Sequence, residues 1–236
     1  MRLEIKGHSV FVGRTRIPIA SNLNLTFEDD RCHCLVGING VGKTAFLLSL
    51  TRKNALLRED GRWQPATYIS PRELISAEGV RVSHFAGLFR PALRLDNWGL
   101  EAAANQSVQS LSQGEKTRLA LAVGESLSPQ VLLLDEPTLG LDQGSQALLG
   151  DLIALRVERR RTTILTSHDL SAFDTDGSRI IHMRREEGET KVLDAAERML
   201  EGEADIRLTE GTALSMHGSV AAMARKLLAM QIAKLQ

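Results

Sequence analysis

The residues with the clearest chemical potential form a glycine-rich loop at positions 37–44, which read G-I-N-G-V-G-K-T and match the pattern G-x-x-x-x-G-K-[ST] in full. An apolar run at 32–36 precedes the loop, and a helical pattern follows it. Glycines let backbone N–H groups turn inward around phosphate oxygens, and the helix N-terminus points its positive end at the same anion. Lys43 can reach the β- and γ-phosphates, and the Thr44 hydroxyl can bind Mg²⁺. The loop therefore predicts a site for the phosphates of a nucleotide.

Two acidic residues follow a second apolar run, Val131–Leu134. They lie where a buried parallel strand would end, which is the edge where open α/β sheets bind ligands. Asp135 is expected to hold Mg²⁺, directly or through water, and Glu136 to polarise an attacking water as a general base. A strand followed by a helix cap would explain the same residues, but the phosphate loop upstream favours the catalytic interpretation.

A third pattern, L-S-Q-G-E at residues 111–115, reads first as the start of a helix. Ser112 is a good N-cap, and Glu115 three residues later completes a capping box. The unpaired donors of a helix start also suit a phosphate, so capping and ligand binding are compatible. The pattern is weak by itself and gains weight from its position shortly before Asp135.

Composition bounds the class of protein. The chain has 236 residues, of which 43% are hydrophobic and 25% charged, with 29 basic and 29 acidic side chains. These values exclude a disordered, collagen-like or disulfide-dense chain, and zero net charge argues against a protein that mainly coats nucleic acid. No segment approaches the ~20 apolar residues that span a bilayer, and the charged start lacks the apolar segment of a secretory signal. We therefore expect a soluble intracellular protein.

The two cysteines, Cys32 and Cys34, flank His33 and lack the further ligands of a metal site, so they are expected to be small side chains on one face of a strand. Strands and helices alternate along the chain, which predicts a mostly parallel α/β sheet. The predicted strands are in 1–36 and at 63–69, 131–134, 163–166 and 180–183, the predicted helices are at 44–58, 112–127, 144–158 and 219–236, and a small helical insertion is predicted at 72–110.

Over roughly residues 1–185 the chain resembles the ATP-binding cassette (ABC) ATPase family, because five of its motifs occur in the family's order. The resemblance assigns Walker A to 37–44, the signature to 111–115, Walker B to 131–137, the D-loop to 138–142 and the switch histidine to His168 in T-S-H-D.

The resemblance implies an α/β P-loop NTPase (RecA-like) core with an antiparallel β subdomain and a small helical subdomain. The implied ATPase domain covers 1–200, with the helical subdomain inserted at about 72–118, and a C-terminal helical extension covers 201–236.

The family's mechanism implies a head-to-tail dimer, homomeric or heteromeric, with two ATP molecules between Walker A of one subunit and the signature of the other. Glu136 would activate water, His168 would sense the γ-phosphate, and Asp142 would couple the two sites. The catalytic residues so implied are Glu136, His168 and Lys43; the Mg²⁺ ligands are Thr44 and Asp135; and the nucleotide contacts are Phe11, Gly37, Asn39, Gly40, Val41, Gly42, Lys43, Thr44, Ala45, Ser112, Gln113, Gly114 and Asp142.

The chain departs from the family's pattern in three places. The family usually has a glutamine in a Y-x-x-Q pattern, whereas Tyr68 is followed here by Pro71 at the glutamine's position, which leaves Glu73 or Ser70 as candidate substitutes. The stretch between Walker A and the signature is short, so the helical subdomain is reduced. No obvious aromatic residue precedes Walker A to stack on adenine; Phe11 is the candidate, with ordinary core packing as the alternative.

The leading functional hypothesis is the ATPase subunit of an ABC transporter, peripheral on the cytoplasmic face of a membrane and working on separate integral membrane subunits, with a mild preference for export. The alternative is a soluble ABC ATPase that acts on ribosomes or on nucleic acid. A single cassette counts against the ribosomal class, and the missing coiled-coil insertion counts against the DNA-repair class, so no direct nucleic-acid contact is expected. A third class, a module that binds ATP without hydrolysis, is disfavoured by the presence of Glu136 and His168.

Overall fold

A computed structural model describes residues 2–13, 17–29, 31–72, 79–89, 92–167, 178–186 and 189–194. The strands are β1 (Arg2–Val12), β2 (Ile17–Glu28), β3 (Cys32–Val36), β4 (Leu57–Arg58), β5 (Ala66–Ile69), β6 (Val131–Leu134), β7 (Thr162–Thr166), β8 (Ser178–Glu186) and β9 (Glu189–Asp194). The helices are α1 (Lys43–Leu50), α2 (Val82–Gly87), α3 (Gln113–Leu127) and α4 (Gln143–Glu158), with 3₁₀ turns at Asp96–Trp98, Glu101–Ala103 and Val108–Ser110.

The central sheet has the strand order β5-β6-β7-β3-β8-β9. Its first five strands are parallel, and β9 pairs antiparallel with β8. Every residue of β3, β6 and β7 is buried, which is how a parallel strand covered on both faces behaves. The predicted mostly parallel sheet is confirmed, whereas β9 was not predicted, because the run E-T-K-V-L-D lacks an alternating apolar pattern.

A second, antiparallel sheet has the order β2-β1-β4. In β1, Leu3 and Ile5 alternate toward the core, and Val10 is also buried after the register shifts between Ile5 and Val10. All three are at most 1% exposed. This sheet is the predicted antiparallel β subdomain, and it packs with α1 and the central sheet in one apolar cluster.

Successive residues of the central strands enter cores on opposite faces of the sheet. Cys32 and Cys34 join the cluster beside α3 and α4, while Leu35 joins the cluster beside α1. Burial raises the pKa of the Cys32 thiol to about 12 and raises that of Cys34 well above its usual value. Both cysteines are therefore packing residues on one face of the strand, as predicted.

The predicted helix at 44–58 is too long, because α1 ends at Leu50. The backbone tightens after that point, with the Thr51 N–H donating to the Leu48 carbonyl, and Asn54 adopts a left-handed φ of 64° that interrupts a helix. Leu57, expected on the helix, pairs instead with Glu4 across the antiparallel sheet.

The predicted strand at 63–69 is also shorter, because β5 begins at Ala66 and Trp63 forms only an isolated bridge with Leu57. The segment before α3 contains short helical pieces, in keeping with the predicted helical insertion. The predicted helix at 219–236, together with His168, Glu73 and the extension at 201–236, lies outside the described residues. Within the described ranges, no helix combines the length and apolar character needed to cross a membrane.

Candidate nucleotide-binding site

The loop between β3 and α1 adopts a conformation that only glycine accepts easily. Gly40 has a φ of 77° and Gly42, the N-cap of α1, has a φ of 108°. No side chain among the described residues caps this helix, so its first N–H groups face the loop without a capping partner. The sequence thus builds a backbone cradle with an open helix N-terminus, which is the arrangement that binds phosphate.

Close packing also requires glycine in this loop. A Cβ atom at Gly37 would lie 2.3 Å from the backbone oxygen of Met183 in β8, and one at Gly42 would lie 2.5 Å from Cδ1 of Ile19 in β2. Both distances are far below van der Waals contact. The loop therefore lies packed between the two sheets.

Lys43 lies against this loop with its ammonium group bonded to the backbone. Its Nζ donates to the carbonyl oxygens of Gly37 at 2.7 Å and Ile38 at 3.3 Å, and the residue is 6% exposed. Burial lowers the pKa of Lys43, while the nearby carboxylates of Glu136 and Asp135 act in the opposite direction. The Lys43 ammonium group therefore lies at the loop, where it could neutralise the charge of a bound phosphate.

Asp135 gathers three hydroxyl groups around one carboxylate that is 5% exposed. Thr44 Oγ1 donates to its Oδ2 at 2.8 Å, Tyr68 Oη donates to the same oxygen at 3.0 Å, and Thr166 Oγ1 donates to Oδ1 at 2.7 Å. The two predicted Mg²⁺ ligands, Thr44 and Asp135, are therefore in direct contact. A hydroxyl and a carboxylate beside a phosphate cradle are the oxygen donors that Mg²⁺ prefers, so this donor set fits the metal.

Glu136 follows Asp135 but has a different backbone conformation and different side-chain contacts. Its φ of 51° is unusual for a residue with a side chain, and its backbone N–H donates to Thr166 Oγ1 at 2.8 Å. Its Oε2 accepts a hydrogen bond from an Arg72 N–H at 2.9 Å, and its side chain is 21% exposed. The two acids thus contact different partners, as the separate roles of metal ligand and base require.

Thr166 joins both acids through one buried hydroxyl, which donates to Asp135 and accepts from the Glu136 backbone. Replacing Thr166 by valine keeps the shape but leaves both partners without this bond. We expect unfolding in urea to show a loss of about 2 kcal/mol, and ATP turnover to fall about tenfold. Thr166→Ser retains the hydroxyl and is the control. Equal turnover in the valine and serine variants would show that the hydroxyl does not position the acids.

Ser112 caps α3 as predicted. Its Oγ accepts the Glu115 N–H at 3.3 Å, and Glu115 Oε2 accepts the Ser112 N–H at 2.8 Å. The Ser112 hydroxyl also donates to that carboxylate at 2.8 Å, and these bonds lower the pKa of Glu115. Ser112 and Gln113 are exposed, so the start of α3 is accessible to another molecule.

The start of α3 is packed against residues 138–142. A Cβ atom at Gly114 would lie 2.6 Å from the carbonyl oxygen of Gly140, and Thr117 Oγ1 donates to the Leu139 carbonyl at 2.8 Å. Asp142 caps α4 by accepting the Ser145 N–H at 2.8 Å, and its hydrogen bonds to Ser145 lower its pKa. The structure thus assigns Asp142 a capping contact, and its coupling role stays a prediction.

The close approach of Gly140 to Gly114 predicts that only glycine fits at position 114. Gly114→Ala is expected to destabilise the protein by about 1–3 kcal/mol, because the helix start must move away from a backbone oxygen. Gly150→Ala is the matched control: Gly150 lies in α4 with nothing within 4 Å of the added Cβ atom, so alanine should stabilise by about 0.5–1 kcal/mol. Chemical unfolding measures both changes. Equal stability of the Gly114 variant and the unmodified chain would contradict the packing described.

Four other predicted nucleotide contacts differ in how accessible they are to a ligand. The Val41 side chain is 2% exposed and lies in the core, while its carbonyl accepts from Thr190 Oγ1 at 2.8 Å, so only its backbone is suited to a ligand. Asn39 is exposed at the loop, and Ala45 is half-buried in the first turn of α1. Phe11 is half-buried opposite Pro18 near the end of β1, and its adenine contact stays a prediction.

Sequence reasoning missed Arg72 and Thr166 and did not assign Tyr68 a contact. Tyr68 and Thr166 reach Asp135 because β5, β6 and β7 are neighbours in the sheet, so that their carboxyl ends lie together. That strand order comes from the structure and has no signal within either segment. Ser70, a suggested substitute for glutamine, is buried, and its hydroxyl accepts the Arg72 backbone N–H at 3.3 Å.

Comparison with known proteins agrees with this geometry. The family model described as "ABC transporter" matches residues 90–139. The zinc import ATP-binding protein ZnuC of Cereibacter sphaeroides is 31% identical over 212 residues, covering 81% of this chain and 85% of that protein. The chain belongs to the ATP-binding cassette family. It is an ATP-binding subunit of the ABC transporter class, and it hydrolyses ATP.

Two further likenesses extend this assignment. The Nod factor export ATP-binding protein I of Burkholderia pseudomallei is 30% identical, covering 77% of this ABC chain and 67% of that protein. An ATP-binding cassette solved as a dimer in a post-hydrolysis state with ADP and phosphate superimposes with a TM-score of 0.61 at 19% identity, covering 81% of this chain and 98% of the other. That structure confirms the predicted P-loop fold.

Proposed function

We propose that this chain binds Mg²⁺-ATP at residues 37–44, hydrolyses it within a head-to-tail dimer of ATPase subunits, and drives separate integral membrane subunits. The observation that carries the proposal is the meeting of three elements at one edge of the central sheet. These are the phosphate cradle with Lys43, the Thr44–Asp135 pair, and Glu136 beside them.

The metal site in this proposal consists of Thr44 and Asp135. Their hydroxyl and carboxylate oxygens lie 2.8 Å apart. Tyr68 donates to the same carboxylate oxygen as Thr44, and Thr166 donates to the other one. Outer hydrogen bonds of this kind orient metal-binding carboxylates. Bound Mg²⁺ supplies positive charge to the β- and γ-phosphates.

The catalytic roles follow from phosphoryl transfer, which needs positioning and charge neutralisation more than covalent help. The glycine backbone and the start of α1 receive the phosphates, and the Lys43 ammonium moves from the loop carbonyls to the phosphate oxygens. Glu136 orients the attacking water and accepts its proton. Thr166 fixes the two acidic residues relative to each other, because its hydroxyl hydrogen-bonds to the Asp135 carboxylate and to the Glu136 backbone N–H.

A dimer completes the site in this proposal. Ser112 is exposed at the N-cap of α3, and Gly114 beside it packs on Gly140 of the same subunit. A partner's Ser112 and Gly114 would close over the γ-phosphate held by this subunit's cradle. Because ATP would bind the closed dimer more tightly than the open one, ATP favours closure and hydrolysis releases it.

Work on separate membrane subunits would place the chain at the cytoplasmic face of a membrane. In support, the two relatives described above are named as an import and an export ATP-binding protein. Affinity purification of the tagged chain from detergent-solubilised membranes tests this proposal. Co-purification of an integral membrane protein is the expected result. Co-purification of ribosomes without membrane protein would favour the soluble translation-factor alternative and overturn the transport proposal.

A further inference from the structure

Arg72 is an unexpected contact of the proposed general base. One of its guanidinium N–H groups donates to Glu136 Oε2 at 2.9 Å. It follows Pro71, which stands where the family resemblance leads one to expect a glutamine that communicates with the site. The chain therefore lacks that amide and carries a cation one residue later, in contact with the catalytic carboxylate.

The strand register places this arginine next to the base. β5 runs parallel to β6 with Ile69 opposite Leu134, and the Asp135 N–H donates to the Ile69 carbonyl at 3.1 Å. The backbone beyond β5 thus follows the backbone beyond β6. The buried Ser70 then accepts the Arg72 backbone N–H, which holds the arginine's backbone beside Glu136.

The ion pair is a poor candidate for a stabilising device. The Arg72 side chain is 64% exposed, and pairs exposed to this extent contribute little to stability. The consequence of this contact is therefore its effect on the orientation of the Glu136 carboxylate. A carboxylate is planar, so a donor that holds Oε2 restricts the direction in which the whole group faces.

We propose that Arg72 is the positioning residue for Glu136 in this ATPase. The inference rests on the proposed role of Glu136 as the general base. Arg72 holds the carboxylate toward the cradle, so that water bound beside the γ-phosphate meets a base in one orientation. The guanidinium carries no proton in the reaction and acts only through Glu136.

Steady-state ATPase kinetics of Arg72→Ala test this proposal, with Arg62→Ala as the matched control. Arg62 is likewise exposed and paired with a carboxylate, that of Asp60, in the antiparallel sheet region. We expect kcat of Arg72→Ala to fall about tenfold with the KM for ATP within about twofold of the unmodified value, and Arg72→Lys to recover most of the loss. The control should keep the unmodified kcat.

The Glu136→Gln background supplies the decisive comparison, measured by single-turnover hydrolysis. If Arg72 acts through Glu136, the double variant should be no slower than Glu136→Gln itself. An equal further loss in that background, an unchanged kcat in the single variant, or a rise confined to KM would overturn the positioning role. Near-normal turnover of the Glu136→Gln single variant would instead show that Glu136 is not the general base. That result would refute the proposed function of Glu136, whereas the outcomes above refute only the role of Arg72.

Discussion

Replacing Glu136 by glutamine is expected to lower ATP turnover by a factor of about 100 or more while ATP binding stays intact. Glutamine has nearly the same shape and accepts the same Arg72 hydrogen bond through its amide oxygen, but it cannot take a proton from water. The backbone contact to Thr166 does not depend on the side chain and should persist. ATPase rates and ATP titrations measured on the same preparation separate the two effects.

The Glu136 variant should also accumulate as an ATP-bound dimer, because closure proceeds without the hydrolysis that reopens it. Size-exclusion chromatography with light scattering in Mg²⁺-ATP measures that species. Glu158→Gln is the matched control, since Glu158 is an exposed glutamate at the end of α4. Steady turnover near the unmodified rate would remove Glu136 from its assigned role.

Replacing Lys43 by alanine should weaken ATP binding by about a hundredfold. The buried ammonium group donates to the carbonyls of Gly37 and Ile38, which leaves it close to a bound phosphate. Hydrogen bonds between charged groups contribute about 1.5–3 kcal/mol each. Without Lys43, the cradle keeps its backbone donors but loses its own cation. Isothermal titration with a non-hydrolysable ATP analogue measures the change in Kd.

Lys53→Ala is the control for this variant, because Lys53 is an exposed cation in the turn after α1. Its Kd should match that of the unmodified chain. Thermal unfolding without nucleotide shows whether the Lys43 variant is folded. An unchanged affinity in a folded Lys43 variant would refute the assignment of the cradle.

The parts of the site that sequence predicted well are contiguous in the chain. Residues 37–44 form the cradle by themselves, because glycine conformations at Gly40 and Gly42 and the helix start at Lys43 are local properties. The Ser112–Glu115 capping box is equally local. Buried runs such as Val131–Leu134 also identify their strands, since no solvent-facing residue interrupts them.

The parts that sequence did not predict depend on which strands become neighbours. Thr166 reaches Asp135 only because β7 lies beside β6, and Arg72 reaches Glu136 only because β5 lies on the other side. No periodicity within either segment encodes that order. The end of α1 at Leu50 was not predicted, because it too depends on a distant strand. Leu57 pairs with β1 in the antiparallel sheet instead of extending the apolar face of the helix.

In the proposed dimer, ATP lies between the cradle of one subunit and Ser112 of another. Thiol cross-linking tests it with Asn39→Cys chains mixed with Ser112→Cys chains, both in the Glu136→Gln background. Asn39 and Ser112 are exposed, whereas the native Cys32 and Cys34 are buried with raised pKa values and should not react. Each variant incubated without the other is the control.

A short bis-maleimide added with Mg²⁺-ATP should join the two different chains into one covalent dimer, and should do so only when nucleotide is present. Each single variant should give little dimer, because a head-to-tail interface brings unlike positions together. Equal cross-linking with and without ATP, or cross-linking only between identical positions, would contradict the head-to-tail dimer.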